Sequence, residues 1–136
     1  MKVKIDKGAI APKRAHDTDA GLDLFAMEDK TVVMKGSAVF RTGVHIQLPP
    51  NTCGLLVSKS GLNTKHDITS TGLIDEGYTG EIMVKLYNHG MKPYQVRKGD
   101  KISQLVVLPC LYESVELVDK LDDSERGDNG FGSTGK

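Results

Sequence analysis

The sequence predicts an all-β domain, a closed barrel or jelly-roll sandwich with at most one short helix. Three observations carry that expectation. Short runs rich in Val, Ile, Leu and Tyr recur along the chain, several of them alternating in character. Fifteen glycines, with Pro and Asn, punctuate those runs with turn signals. No window of about ten residues carries a helical apolar stripe. In order, strands are expected at Lys2–Ile5, Leu22–Ala26, Thr31–Met34, Ala38–Gln47, Cys53–Ser58, Glu81–Asn88, Ile102–Leu108 and Ser114–Val118. Glu81–Asn88 shows the two-residue period best, with Ile82, Val84 and Leu86 on one face. Turns are expected at Lys35-Gly36, Pro49-Pro50-Asn51, Asn88-His89-Gly90 and Lys98-Gly99-Asp100. The one helix candidate is Gly61–His66. Ser58–Gly80 breaks the strand rhythm, and so does the acidic, glycine-rich stretch from Asp119 to Lys136.

A chain of 136 residues has room for one domain. Eighteen basic and eighteen acidic residues cancel, which argues against a dedicated nucleic-acid or membrane-surface binder. A small anion held by a few cations and backbone N–H groups stays open. The longest apolar runs, such as Leu105–Pro109, are too short to span a bilayer. Met1–Asp6 lacks the apolar stretch of a secretory signal, so a cytoplasmic location is expected. Cys53 and Cys110 sit in apolar runs and are expected as buried free thiols. There is no HExxH and no GxxxxGK[ST]. His16, His45, His66 and His89 lack metal-ligand spacing and are expected at the surface or in structural roles.

Several short segments could carry chemistry. Ser58-Lys59-Ser60-Gly61-Leu62 places a cation, a hydroxyl and a glycine at the end of a strand. That suits an anion such as phosphate, or else it is a turn with a solvated lysine. Gly72-Leu73-Ile74-Asp75-Glu76-Gly77-Tyr78-Thr79-Gly80-Glu81 reads as a hairpin with an acidic tip. Asp75 follows two aliphatic residues and could orient and deprotonate a water, or simply be solvated. Gln104 lies within an apolar strand and is either a satisfied amide or an outward residue. Asp23, between Leu22 and Leu24, is either an ordinary outward residue or a carboxylate aimed at a cation. In the tail, Phe131 stands among Gly127, Gly130, Gly132 and Gly135. It is either part of a frayed end or an aromatic on a strap that folds over something flat.

Taken together, these segments resemble the trimeric deoxyuridine triphosphate nucleotidohydrolases, the dUTPases. Five motifs stand in that family's order: Asp19–Leu24, Ser58–Leu62, Gly72–Gly80, Gly99–Leu105 and Arg126–Gly135. The resemblance covers essentially the whole chain. It implies a jelly-roll-like β-barrel over residues 1–120 and a flexible tail over residues 121–136 that closes on a subunit-interface site. It implies a homotrimer, hydrolysis of dUTP to dUMP and pyrophosphate, and Mg²⁺ bound to the triphosphate. By the same resemblance, Asp75 activates the attacking water and Gln104 assists at the phosphates with Lys59, Ser60 and Gly61. Gly72, Leu73, Ile74 and Met83 line the backbone that reads uracil, and Tyr78 packs on the deoxyribose. Thr69 takes the place of an amide that some members carry near the base. Asp23 reaches the metal through water. Arg126, Phe131, Gly132, Ser133 and Thr134 close over base and phosphates. Three positions depart from the family pattern: Lys59 and Lys101 stand where arginine is usual, and Gly77 where a second acid is common. A lysine offers a point charge rather than a two-pronged fork, and Lys101 is expected in a structural or interfacial role. Two other readings compete: a deoxycytidine triphosphate deaminase of the same fold, and a non-catalytic trimer that senses nucleotide or binds a partner.

Overall fold

The computed structural model describes residues 1–124 and 127. Nine strands and one short helix follow in order: β1 (Lys2–Ile5), β2 (Leu22–Phe25), β3 (Lys30–Val32), β4 (Ser37–Gln47), β5 (Thr52–Val57), α1 (Ser60–His66), β6 (Ile68–Ile74), β7 (Glu81–Asn88), β8 (Tyr94–Val96) and β9 (Lys101–Pro109). Seven strands form one sheet in the order β1-β4-β7-β6-β5-β9-β2, and β3 pairs with β8. All the pairings are antiparallel.

β6 is the corner of this sheet. Its first residues pair with β7, through Ile68↔Asn88, Thr69↔Tyr87 and Ser70↔Leu86. Its last four pair with β5, from Thr71↔Val57 to Ile74↔Gly54. A strand that changes partner midway turns the sheet, and the curl lets both halves face one core. Alternation in β7 buries Ile82, Val84 and Leu86 completely. They pack with Phe40 and Val44 of β4, Leu24 of β2, Leu56 of β5, and Ile102 and Leu105 of β9. Gly54 makes room for this contact, since a Cβ there would lie 2.8 Å from Leu105 Cδ1 and 3.1 Å from Ile74 Cβ.

The all-β expectation holds, and so does the single short helix, which begins one residue earlier than expected. Two strands were not expected. In β6 the inward positions include Ser70 and Gly72, which spoil the apolar alternation that marks a strand. Ser70 Oγ lies 2.8 Å from Ser103 Oγ, and the Ser70 N–H donates to Ser58 Oγ at 2.9 Å, so the polar core positions are satisfied. β8 has only three residues, and its identity depends on β3 beside it. One expected strand is absent: Ser114–Val118 runs without a sheet partner, with Val115 and Leu117 almost fully exposed. Cys53 and Cys110 are free thiols as expected, but half-buried rather than buried. No helix among the described residues is long and apolar enough to cross a membrane.

Candidate active site

The structure gathers the expected site residues into two clusters. The first lies where β6 and β7 part company. β6–β7 pairing stops at Ser70↔Leu86, so the strands splay towards the connection between them. A cleft of about 220 Å³ opens there, lined by Leu73, Ile74, Asp75, Tyr78, Glu81 and Met83. Asp75 begins the turn, and its carbonyl accepts the N–H of Tyr78 at 3.0 Å. Its carboxylate end of the cleft also borders a wider hollow of about 700 Å³ whose walls include Pro50, Glu76 and Tyr112. The Tyr78 ring lies across Gly80, where a Cβ would come within 2.5 Å of the phenol oxygen. The Tyr78 hydroxyl donates to the main-chain oxygen of Glu81 at 2.9 Å. Gly80 thus works as a cradle for the ring, a role that only the Tyr-x-Gly spacing hints at in sequence.

The second cluster surrounds Asp23, which β2 sets opposite Gln104 of β9. Asp23 is 3% exposed. Lys59 Nζ donates to one of its carboxylate oxygens at 2.7 Å, and Lys101 Nζ sits 2.7 Å from the other. Burial alone would push this carboxyl up; the hydrogen bonds and charges of Lys101 and Lys59 more than offset that and hold it below the usual carboxylate range. Lys101 thereby joins this cluster, a contact that its sequence position did not show. Gly21 belongs to it as well. A Cβ there would lie 2.6 Å from Gln104 Oε1, so the glycine lets the amide lie flat over the chain. Lys59 lies two residues past β5 at the N-cap position of α1, so Ser60 and Gly61 follow the Lys59–Asp23 pair in the helix's first turn. N–H groups in a first turn have no partner within their helix and face outward.

The two clusters stand apart along the β5–β6 ladder. Ile74 lies opposite Gly54, whereas Gln104 lies opposite Val57 and Lys59 further on. At about 3.3 Å per residue, Asp75 and the Gln104 level are roughly 13 Å apart along the strands. Gly72 adjoins the cleft through its place in β6, opposite Leu56. Thr69 does not: it lies at the far end of β6, its hydroxyl 2.8 Å from His89 Nε2. Arg126, Phe131, Gly132, Ser133 and Thr134 fall outside the described residues. Among the described residues, no three His, Cys, Asp or Glu side chains converge as a metal cage.

Comparison with known proteins accords with this geometry. The dUTPase family model matches residues 7–135. The deoxyuridine 5'-triphosphate nucleotidohydrolase of Clostridium acetobutylicum is 49% identical over 135 residues, covering 97% of this chain and 93% of that protein. Its counterpart in Gloeothece citriformis is 48% identical with the same coverage. Among solved structures, the dUTPase of Staphylococcus bacteriophage 80alpha with dUPNHPP superposes with a TM-score of 0.92 at 32% identity, covering 99% of this chain and 98% of that one. A mutant dUTPase from phage phi11 of S. aureus, described for its coordination of a structural Mg(II) ion, has a TM-score of 0.81 at 28% identity, covering 88% of this chain and 96% of that one. The jelly-roll-like fold, the five motifs in order and near-half identity along almost the whole length agree: the chain belongs to the dUTPase family of dUTP diphosphatases.

Proposed function

We propose that dUTP is hydrolysed here by in-line attack at the α-phosphorus, with Asp75 orienting the water and accepting its proton. The new bond joins the water oxygen to the α-phosphorus. The bond that breaks joins that phosphorus to the oxygen bridging to the β-phosphate, so dUMP and pyrophosphate leave. The observation that carries this reading is the splay of β6 from β7 with Asp75 at its lip. A strand edge without a partner offers N–H and C=O groups to a flat ligand, as it would to another strand. Uracil would pair with this backbone around Leu73 and Met83, flanked by Gly72 and Ile74. Backbone groups that pair with the N3–H and O4 of uracil would meet the reverse pattern in cytosine, an acceptor at N3 and a donor at N4. Tyr78, pinned on Gly80, would pack on the deoxyribose and exclude a 2′-hydroxyl.

The phosphates would be held by Lys59, the Ser60 hydroxyl, the first-turn N–H groups at Gly61, and Gln104. These lie towards the other end of the β5–β6 ladder from Asp75, and that separation supports a site shared between copies of the chain, as in a homotrimer. Apolar residues exposed after β9, including Leu111, Val115, Leu117 and Leu121, suit burial against a neighbouring copy. Residues 1–120 would form the barrel domain. The tail, residues 121–136, would close over the bound nucleotide, with Phe131 on the base, and Arg126, Gly132, Ser133 and Thr134 over the phosphates.

Each oxygen of Asp23 already carries a lysine ammonium, so this cluster as it stands suits the anionic phosphates, and a hard cation would arrive on the triphosphate, held chiefly by phosphate oxygens and water. Asp23 would hold Mg²⁺ through that water. When bound, the ion neutralises charge that develops on the phosphate oxygens. The two free thiols suit the reducing cytoplasm.

Asp75→Asn tests the assignment. It keeps the shape and removes the proton acceptor, so turnover should fall by about 10²-fold or more while dUTP affinity stays near normal. Near-normal turnover in Asp75→Asn would remove Asp75 from the chemistry.

A further inference from the structure

The lip of the cleft that carries Tyr78 is held by side chains more than by strand pairing. On the β6 side, residues 81–85 of β7 have no ladder partner, because pairing ends at Ser70↔Leu86. On the β4 side the register breaks between Arg41↔Met83 and His45↔Glu81, with Gly43 at φ +63° in the bulge. Side chains fill this gap. Arg41 Nε donates to both carboxylate oxygens of Glu81, at 3.2 and 3.0 Å. Arg41 Nη2 donates to Asp6 Oδ2 at 3.2 Å, and the Gly43 N–H donates to Glu81 Oε1 at 2.8 Å. The other Asp6 oxygen lies 3.3 Å from His45 Nε2, and His45 Nδ1 lies 3.2 Å from the Thr79 carbonyl oxygen. Both residues flanking Gly80 are therefore tied to β4, and the Glu81 carbonyl is the acceptor for the Tyr78 hydroxyl.

We propose that Arg41 is a positioning residue for sugar selectivity. By clamping Glu81 it fixes the main-chain oxygen that holds the Tyr78 ring, and so sets how tightly the cleft closes on the sugar. The inference rests on the assignment of this cleft to the deoxyuridine moiety. The chemistry favours a geometric role over a stabilising one. Arg41 is half exposed, and such ion pairs add little to stability. A guanidinium that reaches two carboxylates fixes direction, which a lysine cannot reproduce.

The test compares kcat and KM for dUTP and UTP in the full chain, in Arg41→Gln and in Arg41→Lys, with thermal unfolding alongside. Arg41→Gln should lower the dUTP-over-UTP ratio of kcat/KM by about tenfold, since small misplacements of contacting groups cost that much or more. KM for dUTP should rise more than kcat falls, and Arg41→Lys should recover part of the ratio. A folded Arg41→Gln with an unchanged ratio overturns the proposal. If Arg41→Gln does not fold, an unchanged ratio in Arg41→Lys overturns it equally, and a lowered one supports it. A wild-type chain that does not prefer dUTP to UTP would instead overturn the assignment of the cleft, and this inference with it.

Discussion

Gly21 shows how a residue without a side chain can belong to a site. Its missing Cβ leaves the space in which Gln104 lies, with Oε1 2.6 Å, and Gln104 Cβ 3.0 Å, from where that carbon would be. Gly21→Ala should fold at a cost of about 1–3 kcal/mol, because the amide can swing away but Gln104 Cβ, 3.0 Å off, can give only by a small shift of β9. It should turn the amide away from the phosphates and lower kcat/KM for dUTP by about tenfold. Unchanged kcat/KM in a folded Gly21→Ala chain would mean that the amide does not act there. The Asp-Ala-Gly run of the first motif contains this residue, but a sequence does not show which distant side chain lies above a glycine. Lys101 is a similar case: its contact with Asp23 depends on a break in the β2–β9 register between Leu24 and Phe25, and local pattern does not encode such a break.

Between elements, the connection from β6 to β7 is tied down on its outer side by Glu76. One Glu76 oxygen accepts the N–H of Asn51, at 2.9 Å, and the hydroxyl of Tyr112, at 2.7 Å. This couples the Asp75 turn to the start of β5 and to the segment after β9. The Glu76 hydrogen bond, with burial and the carboxylate's charge, holds the proton on Tyr112 and pushes its phenol up to about 12. The sign follows: the folded form favours the protonated phenol. The contribution is complete below the usual tyrosine range and is lost as pH rises towards about 12. Burial raises Tyr94 as well, so ultraviolet titration of tyrosinate should show late ionisation whose amplitude falls in Tyr112→Phe; an unchanged late amplitude in the variant would contradict the contact. At this scale the sequence is legible where a strand has one apolar face. β7, with Ile82, Val84 and Leu86, is read correctly in every residue. It is illegible where the inward face is polar and satisfied, as at Ser70 of β6. It misleads at Ser114–Val118, where the pattern is a strand's but the segment pairs with no strand of the chain.

For the whole molecule, the separation of Asp75 from the Asp23, Lys59 and Gln104 group is the central structural fact. The five motifs nominate the residues of a site, and the strand register sets Asp75 roughly 13 Å along the ladder from the Gln104 level, a separation that suits a site shared between copies. Two inactive variants should therefore complement each other. Asp75→Asn chains mixed with Gln104→Leu chains, by co-expression or joint refolding, should regain a fraction of wild-type turnover. Each mixed assembly can contain a site with an intact Asp75 from one copy and an intact Gln104 from another. Mixtures that stay as inactive as their parents would place each site within a single copy.

The most direct measurement is pyrophosphate release from dUTP, dCTP, dTTP and UTP, each with and without Mg²⁺. The account predicts fast release from dUTP alone, dependent on Mg²⁺, because backbone pairing in the cleft selects uracil and Tyr78 selects the deoxyribose. Comparable release from UTP or dCTP, or ammonia from dCTP in place of pyrophosphate from dUTP, would contradict it.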